Sequence, residues 1–113
     1  MRLSRCTVTI LLALLALLAI VPSSQAQTLS MERAKRTIGT KAYLVNGAGA
    51  VAYGARACKR LGARRVSCQA YVEKASGEHN RVCVDRMTAV ASGGKVVVRG
   101  AAPPSKWHCE KVS

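Results

Sequence analysis

Four cysteines, Cys58, Cys68, Cys83 and Cys109, fall in the second half of this chain, and no other feature limits its folding as much. An even cysteine count in a short chain reads as disulfides in an oxidising compartment and as metal ligands or reactive thiols in a reducing one. The leader decides between the two. Arg2 and Arg5 precede an unbroken run of twelve apolar residues, Ile10 to Val21, and Pro22 then opens a stretch of small residues ending at Ala26. This is the order of a secretory signal peptide, with cleavage expected after Ala26. Twelve apolar residues fall short of the ~20 that cross a bilayer as a helix. Cys6 lies ahead of the apolar run and leaves with the leader, so residues 1–26 are expected to be lost and residues 27–113 to fold as one small domain.

The expected mature chain has 87 residues and starts at Gln27. Loss of Arg2 and Arg5 leaves 16 Lys and Arg against 5 Asp and Glu, a net charge of +11. A chain of this length buries only about 60% or slightly more of the surface it exposes when unfolded, so its core is marginal. Two disulfides, at roughly 2–4 kcal/mol each, therefore weigh heavily in its net stability. If Gly62-Ala63-Arg64 forms a three-residue turn, Leu61 faces Arg65 and Cys58 comes opposite Cys68. Opposed residues of an antiparallel pair lie within disulfide reach. Cys83 and Cys109 then pair by elimination, although spacing leaves the other two connectivities open, and Cys68 with Cys83 is a possible meeting across the next hairpin.

A change of vocabulary divides the mature chain. Ser30 suits a helix N-cap and Glu32 the first turn of that helix. Met31, Ala34, Ile38, Ala42 and Val45 recur at steps of three and four, one face of a helix over about 30–45. Gly39 weakens that helix by ~1 kcal/mol relative to Ala, and Asn46-Gly47 is expected to end it in a left-handed stop. Valine-rich alternation follows, with strands at 50–60, 64–75, 81–91 and 95–100 separated by glycine-bearing turns. Val66, Ala70 and Val72, or Val96 and Val98, are the candidates for the sheet face under the helix. Pro103-Pro104 ends the last ladder, and Trp107-His-Cys109 closes the chain. The expected class is α+β, one N-terminal helix on a four-stranded antiparallel meander with two disulfides.

Few residues point to chemistry. Lys59, Arg60, Arg64 and Arg65 gather at the first hairpin and are the candidate anion-binding cluster, since arginine forks grip phosphate, sulfate and carboxylate. The plainer account is solvated charge, which is spread over helix and strands as well. A charge of +11 favours any polyanion, with anionic wall polymers and lipid head groups nearest for an exported chain. Specific nucleic-acid recognition would want aromatic platforms, and Tyr43, Tyr53, Tyr71 and Trp107 form no evident group in the sequence. "GAGAVAYG", Gly47 to Gly54, lacks the spacing and lysine of a phosphate loop and reads as a flexible lead into the first strand. No C-x-x-C occurs and His108 adjoins Cys109, so neither metal nor cofactor is expected. His79 and His108 are the one candidate acid/base pair, for an exported ribonuclease. Asp85 alternates with Cys83 and Met87, where pairing with Arg56 or Arg86 is the simple account.

The cysteine spacing, ten residues from Cys58 to Cys68, then Cys83, then Cys109 after Trp107, resembles the two sequential disulfides of secreted cystatins. The order of a helix followed by an antiparallel sheet is similar as well, over roughly residues 30–111. What the resemblance implies is topology, with cystatin-like protease inhibition as the alternative function. The inhibitory wedge of that family is a Q-x-V-x-G hairpin, and the nearest text here, "NGAGAVAYG" from Asn46 to Gly54, lacks the glutamine; Pro104-Ser-Lys-Trp107 replaces the Pro-Trp of the second hairpin. The chain also resembles uncharacterised small exported bacterial proteins with paired cysteines. The reading from sequence is a non-enzymatic cationic binding or interaction module, secreted or in the periplasm or cell envelope, acting on anionic polymers or a protein partner.

Overall fold

The computed structural model describes residues 28–112. The expected signal peptide and the expected new terminus at Gln27 lie outside the described residues. Helix α1 runs from Met31 to Asn46, and five strands follow: β1 (Ala50–Gly62), β2 (Arg65–Ser76), β3 (His79–Ser92), β4 (Lys95–Arg99) and β5 (His108–Val112). The fold is α+β, as the sequence implies, with one added strand. β1 to β4 form the antiparallel meander in the order β1-β2-β3-β4. β3 shares its second edge between two partners. β4 pairs with Thr88–Ser92, and β5 pairs with Asn80–Val84.

Helix α1 begins where Ser30 accepts a hydrogen bond from the Arg33 amide at 3.2 Å. Its end departs from expectation. Gly47 keeps a right-handed φ of −86° and its amide donates to Tyr43 O at 2.7 Å, so the helix runs its turn to completion. The reversal into β1 occurs at Gly49, whose φ of +75° is where glycine pays little steric cost. Asn46 is instead a buried helical residue whose Oδ1 accepts from Lys74 Nζ at 2.8 Å.

Ala34, Ile38 and Ala42 of α1 are fully buried, with Met31 and Val45 packed at the ends of the same stripe. They meet Val66, Cys68, Ala70 and Val72 of β2 and Cys83, Met87 and Ala89 of β3, while Val96 and Val98 extend this face onto β4. Both groups of valines proposed for the helix-facing side therefore share it. Few large side chains are fully buried; Leu29, Ile38, Met87, Val66 and Val72 lead them. Each contributes roughly 1.5–3 kcal/mol. The helix lies close because Gly39 meets Gly54: a Cβ at Gly39 would stand 3.3 Å from Gly54 Cα. The residue that weakens the isolated helix thus sets how near it approaches β1.

Both disulfides join neighbouring strands, Cys58 with Cys68 and Cys83 with Cys109. In the first hairpin Gly62 faces Arg65 around a two-residue turn, one residue tighter than expected. Leu61 is extruded as a bulge, which restores the expected pairing from Arg60 with Val66 onward. A second bulge sets Ala57 and Cys58 together opposite Cys68, with Ala57 at φ +50°. Cys83 directly faces Cys109. Cys68 with Cys83 is out of reach because Cys68 faces Met87 and Val72 faces Cys83.

The link from β4 to β5 is anchored at its middle. Asp85 Oδ2 accepts from the Ala102 amide at 2.9 Å, and Ala102 O accepts from Trp107 Nε1 at 2.8 Å. Trp107 is buried in the core. Asp85 does not pair with Arg56 or Arg86: strand alternation sends it to the helix side and both arginines to the other.

Candidate cationic face of the sheet

Alternation and register decide which basic side chains meet. With α1 covering one face, the side chains of the other can be read strand by strand as rows. One row is Lys59, Ser67, Thr88 and Arg99, from β1 to β4. The next is Arg56, Gln69 and Arg86. Arg65 stands two residues beyond Ser67 on β2, in a row with Val90 and Val97. Five cations, Arg56, Lys59, Arg65, Arg86 and Arg99, thus gather at one end of the outer face, all of them exposed, and Lys95 stands on the same face one row further, opposite Ser92. At about 4.8 Å between strands and about 6.7 Å between rows, they span roughly 14 Å in each direction.

The small polar residues among them hold the arginines in place. Arg86 Nη1 donates to Ser67 Oγ at 3.1 Å, and Ser67 is buried beneath it. Arg56 Nε donates to Gln69 Oε1 at 2.9 Å, with its guanidinium 5.1 Å from the ring centre of Tyr71. Tyr71 in turn lies over Gly54, where a Cβ would meet its hydroxyl at 2.9 Å. Gly54 thus serves the aromatic ring on one side and Gly39 on the other; it is a crossing point in the fold.

The carboxylates sit apart. Glu73, Val82 and Glu110 make a row at the opposite end of this face. His108, in the row of Tyr71 and Val84, is 2.9 Å from Glu110 Oε1. Among the described residues this is the one ion pair, so none of the five cations has a carboxylate within 4.0 Å. A shallow depression of about 430 Å³ runs from Arg56 and Gln69 toward Glu110 and Val112.

The hairpin cluster expected from sequence is divided by this geometry. Lys59 and Arg65 belong to the outer face. Arg60 falls on the helix side, where Nη2 donates to Leu29 O at 2.6 Å and Nη1 to Gly62 O and Ala63 O at 3.0 and 3.1 Å. It holds the chain before α1 against the hairpin, a task reinforced by the Leu29 amide bonding Ala63 O. Arg64 sits in the turn, and its carbonyl accepts from the Ala91 amide. A hairpin cannot keep consecutive residues on one face, so Arg56, Arg86 and Arg99 replace Arg60 and Arg64 in the group.

Other candidates separate as well. His79 and His108 stand five positions apart along β3, roughly 17 Å. No three His, Cys, Asp or Glu among the described residues gather in a way that would hold a metal. Tyr43 and Tyr53 do meet, with ring centres 4.8 Å apart, but on the helix side. The stretch from Ala50 to Gly54 belongs to strand β1, paired with Tyr71–Lys74 around a bulge at Val51, and forms no hairpin tip. Among the described residues no helix is long and apolar enough to cross a membrane. Compared with known proteins, the chain matches no family model, no curated protein and no solved structure.

Proposed function

We propose that this protein is a non-enzymatic cationic binding module, acting at the cell envelope or outside the cell, that takes anionic polymers on the outer face of its sheet. The observation that carries this reading is the gathering of Arg56, Lys59, Arg65, Arg86 and Arg99 on one exposed surface without a carboxylate partner among the described residues. Cations left unneutralised on a rigid sheet attract polyanions at long range and bind them by counterion release. Hydrogen bonds to Ser67 and Gln69 orient two of the arginines, so less side-chain freedom is lost on binding. An even spread of charge would have no preferred face.

The test compares two sets of four replacements. Lys59, Arg65, Arg86 and Arg99 are changed together to Ser in one variant; Arg33, Lys35, Arg36 and Lys41 of α1 are changed in the other. Binding of long-chain polyphosphate is followed over a salt series. The outer-face variant should lose most of the affinity and its slope of log K against log salt should fall by roughly one for each cation that holds a phosphate. Equal losses from both variants would return the charge to a diffuse role.

The alternative is a cystatin-like protease inhibitor, favoured by the helix-then-meander order and the two sequential disulfides. Titration against papain-type proteases separates it, and an RNA digestion assay separates the third reading, an exported ribonuclease.

A further inference from the structure

We propose that the open edge of β4 docks an extended acidic segment of a partner protein, which joins the sheet as an additional strand. β4 pairs only with β3 among the described residues, leaving the backbone of its other edge unbonded in the sheet. Such an edge supplies main-chain hydrogen bonds to an added strand, while flanking grooves select its side chains. A groove of about 430 Å³ lies beside this edge, between β4 and α1. Its apolar lining is Leu44, 73% exposed, together with Val96 and Val98 on the helix side of β4.

Charge chooses the occupant. Arg36 and Lys41 line the groove, no carboxylate among the described residues does, and Lys95 and Arg99 stand at the two ends of the strand. A second copy pairing antiparallel about Val97 would set Lys95 opposite Arg99 at both ends, and like charges directly opposed are destabilising. The lysine and arginine thus guard the edge against its own kind. An incoming strand that reads Glu-Val-Val-Val-Glu answers the same positions: its carboxylates face Lys95 and Arg99. Alternate valines face the groove.

The site draws on the outer face only through Lys95 and Arg99, and its test does not depend on polyanion binding. The probe is a synthetic peptide with Glu-Val-Val-Val-Glu at its centre; the control keeps the valines and replaces both Glu with Lys. Calorimetry should give the acidic peptide at least about tenfold tighter binding, as two charge pairs exchanged for two repulsions allow. Amide exchange should slow at Val96–Val98. The pair Lys95→Glu and Arg99→Glu should invert the preference, and Leu44→Ser, at a position that contributes little to the core, should weaken both peptides. Equal binding of the two peptides would overturn the proposal, as would protection confined to β2 and β3. Dimerisation in the ultracentrifuge with the edge already protected would assign it to a second copy. Protection in the full chain that vanishes when residues 1–27 are removed would assign it to that segment.

Discussion

Replacing Cys83 and Cys109 together with Ala should destabilise the fold more than replacing Cys58 and Cys68. The bridges close loops of sequence separation 26 and 10. Chain entropy assigns them roughly 3.5 and 2.7 kcal/mol, a difference of about 0.8 kcal/mol. For a domain of this size 1 kcal/mol moves the melting temperature by about 4–8 °C, so the two variants should differ by roughly 3–6 °C. The structure adds a difference in kind. β5 is five residues long, and the Cys83–Cys109 bridge crosses its ladder with β3; β1 is thirteen residues long and lies under α1. Loss of the first bridge should leave a single cooperative transition. Loss of the second should let β5 and the chain from Ala102 onward loosen before the sheet melts. Trp107 is the only tryptophan in the protein, so its fluorescence reports that segment alone. In Cys83/Cys109→Ala the fluorescence transition should precede the far-ultraviolet circular dichroism transition; in Cys58/Cys68→Ala the two should coincide. Greater damage from losing the first pair, or coincident transitions in both variants, would refute the reasoning.

Two further changes test how the face is held in place. Gly39→Val should cost about 1–3 kcal/mol by overpacking, since its Cβ would press within 3.3 Å of backbone at Gly54 that cannot step aside; an unchanged urea midpoint would remove the close approach from the account. Arg60→Gln should destabilise the protein by roughly 1–2 kcal/mol through loss of bonds to three carbonyls, yet leave polyphosphate affinity nearly unchanged because Arg60 lies off the outer face; a fall in affinity comparable with Arg86→Gln would contradict the division of the hairpin cluster.

The helix and the four meander strands are legible from the three-and-four spacing of Met31, Ala34, Ile38, Ala42 and Val45 and from valine alternation broken at glycine turns. Strand β5 is not, because His-Cys-Glu-Lys-Val carries one β-favouring residue and follows two prolines; it is a strand because Cys109 faces Cys83 and Trp107 is buried. The cationic face was half legible. Lys59 and Arg65 are visible as neighbours in sequence, whereas Arg86 and Arg99 join them only through the β2–β3 and β3–β4 registers. Those registers are set by the two-residue turns Gly77-Glu78 and Gly93-Gly94, and a one-residue slip moves every side chain to the opposite face. Alternation alone would have removed Arg60 from the cluster and set Asp85 apart from Arg86, whereas Arg56 reaches the outer face only through the bulge at Ala57. The bulges at Leu61 and Ala57 have no comparable signal, yet the first brings Cys58 opposite Cys68 and the second carries Arg56 to the outer face opposite Gln69.

The central claim is that the outer-face cations act together as one site. Titration of the isotopically labelled protein with long-chain polyphosphate, followed residue by residue by NMR, tests it most directly. Amide and guanidinium signals of Arg56, Lys59, Ser67, Arg86, Thr88 and Arg99 should shift together along one binding curve, and those of Arg33, Lys35 and Arg36 on α1 should move little. Shifts spread evenly over helix and sheet, or centred on the α1 arginines, would contradict the claim.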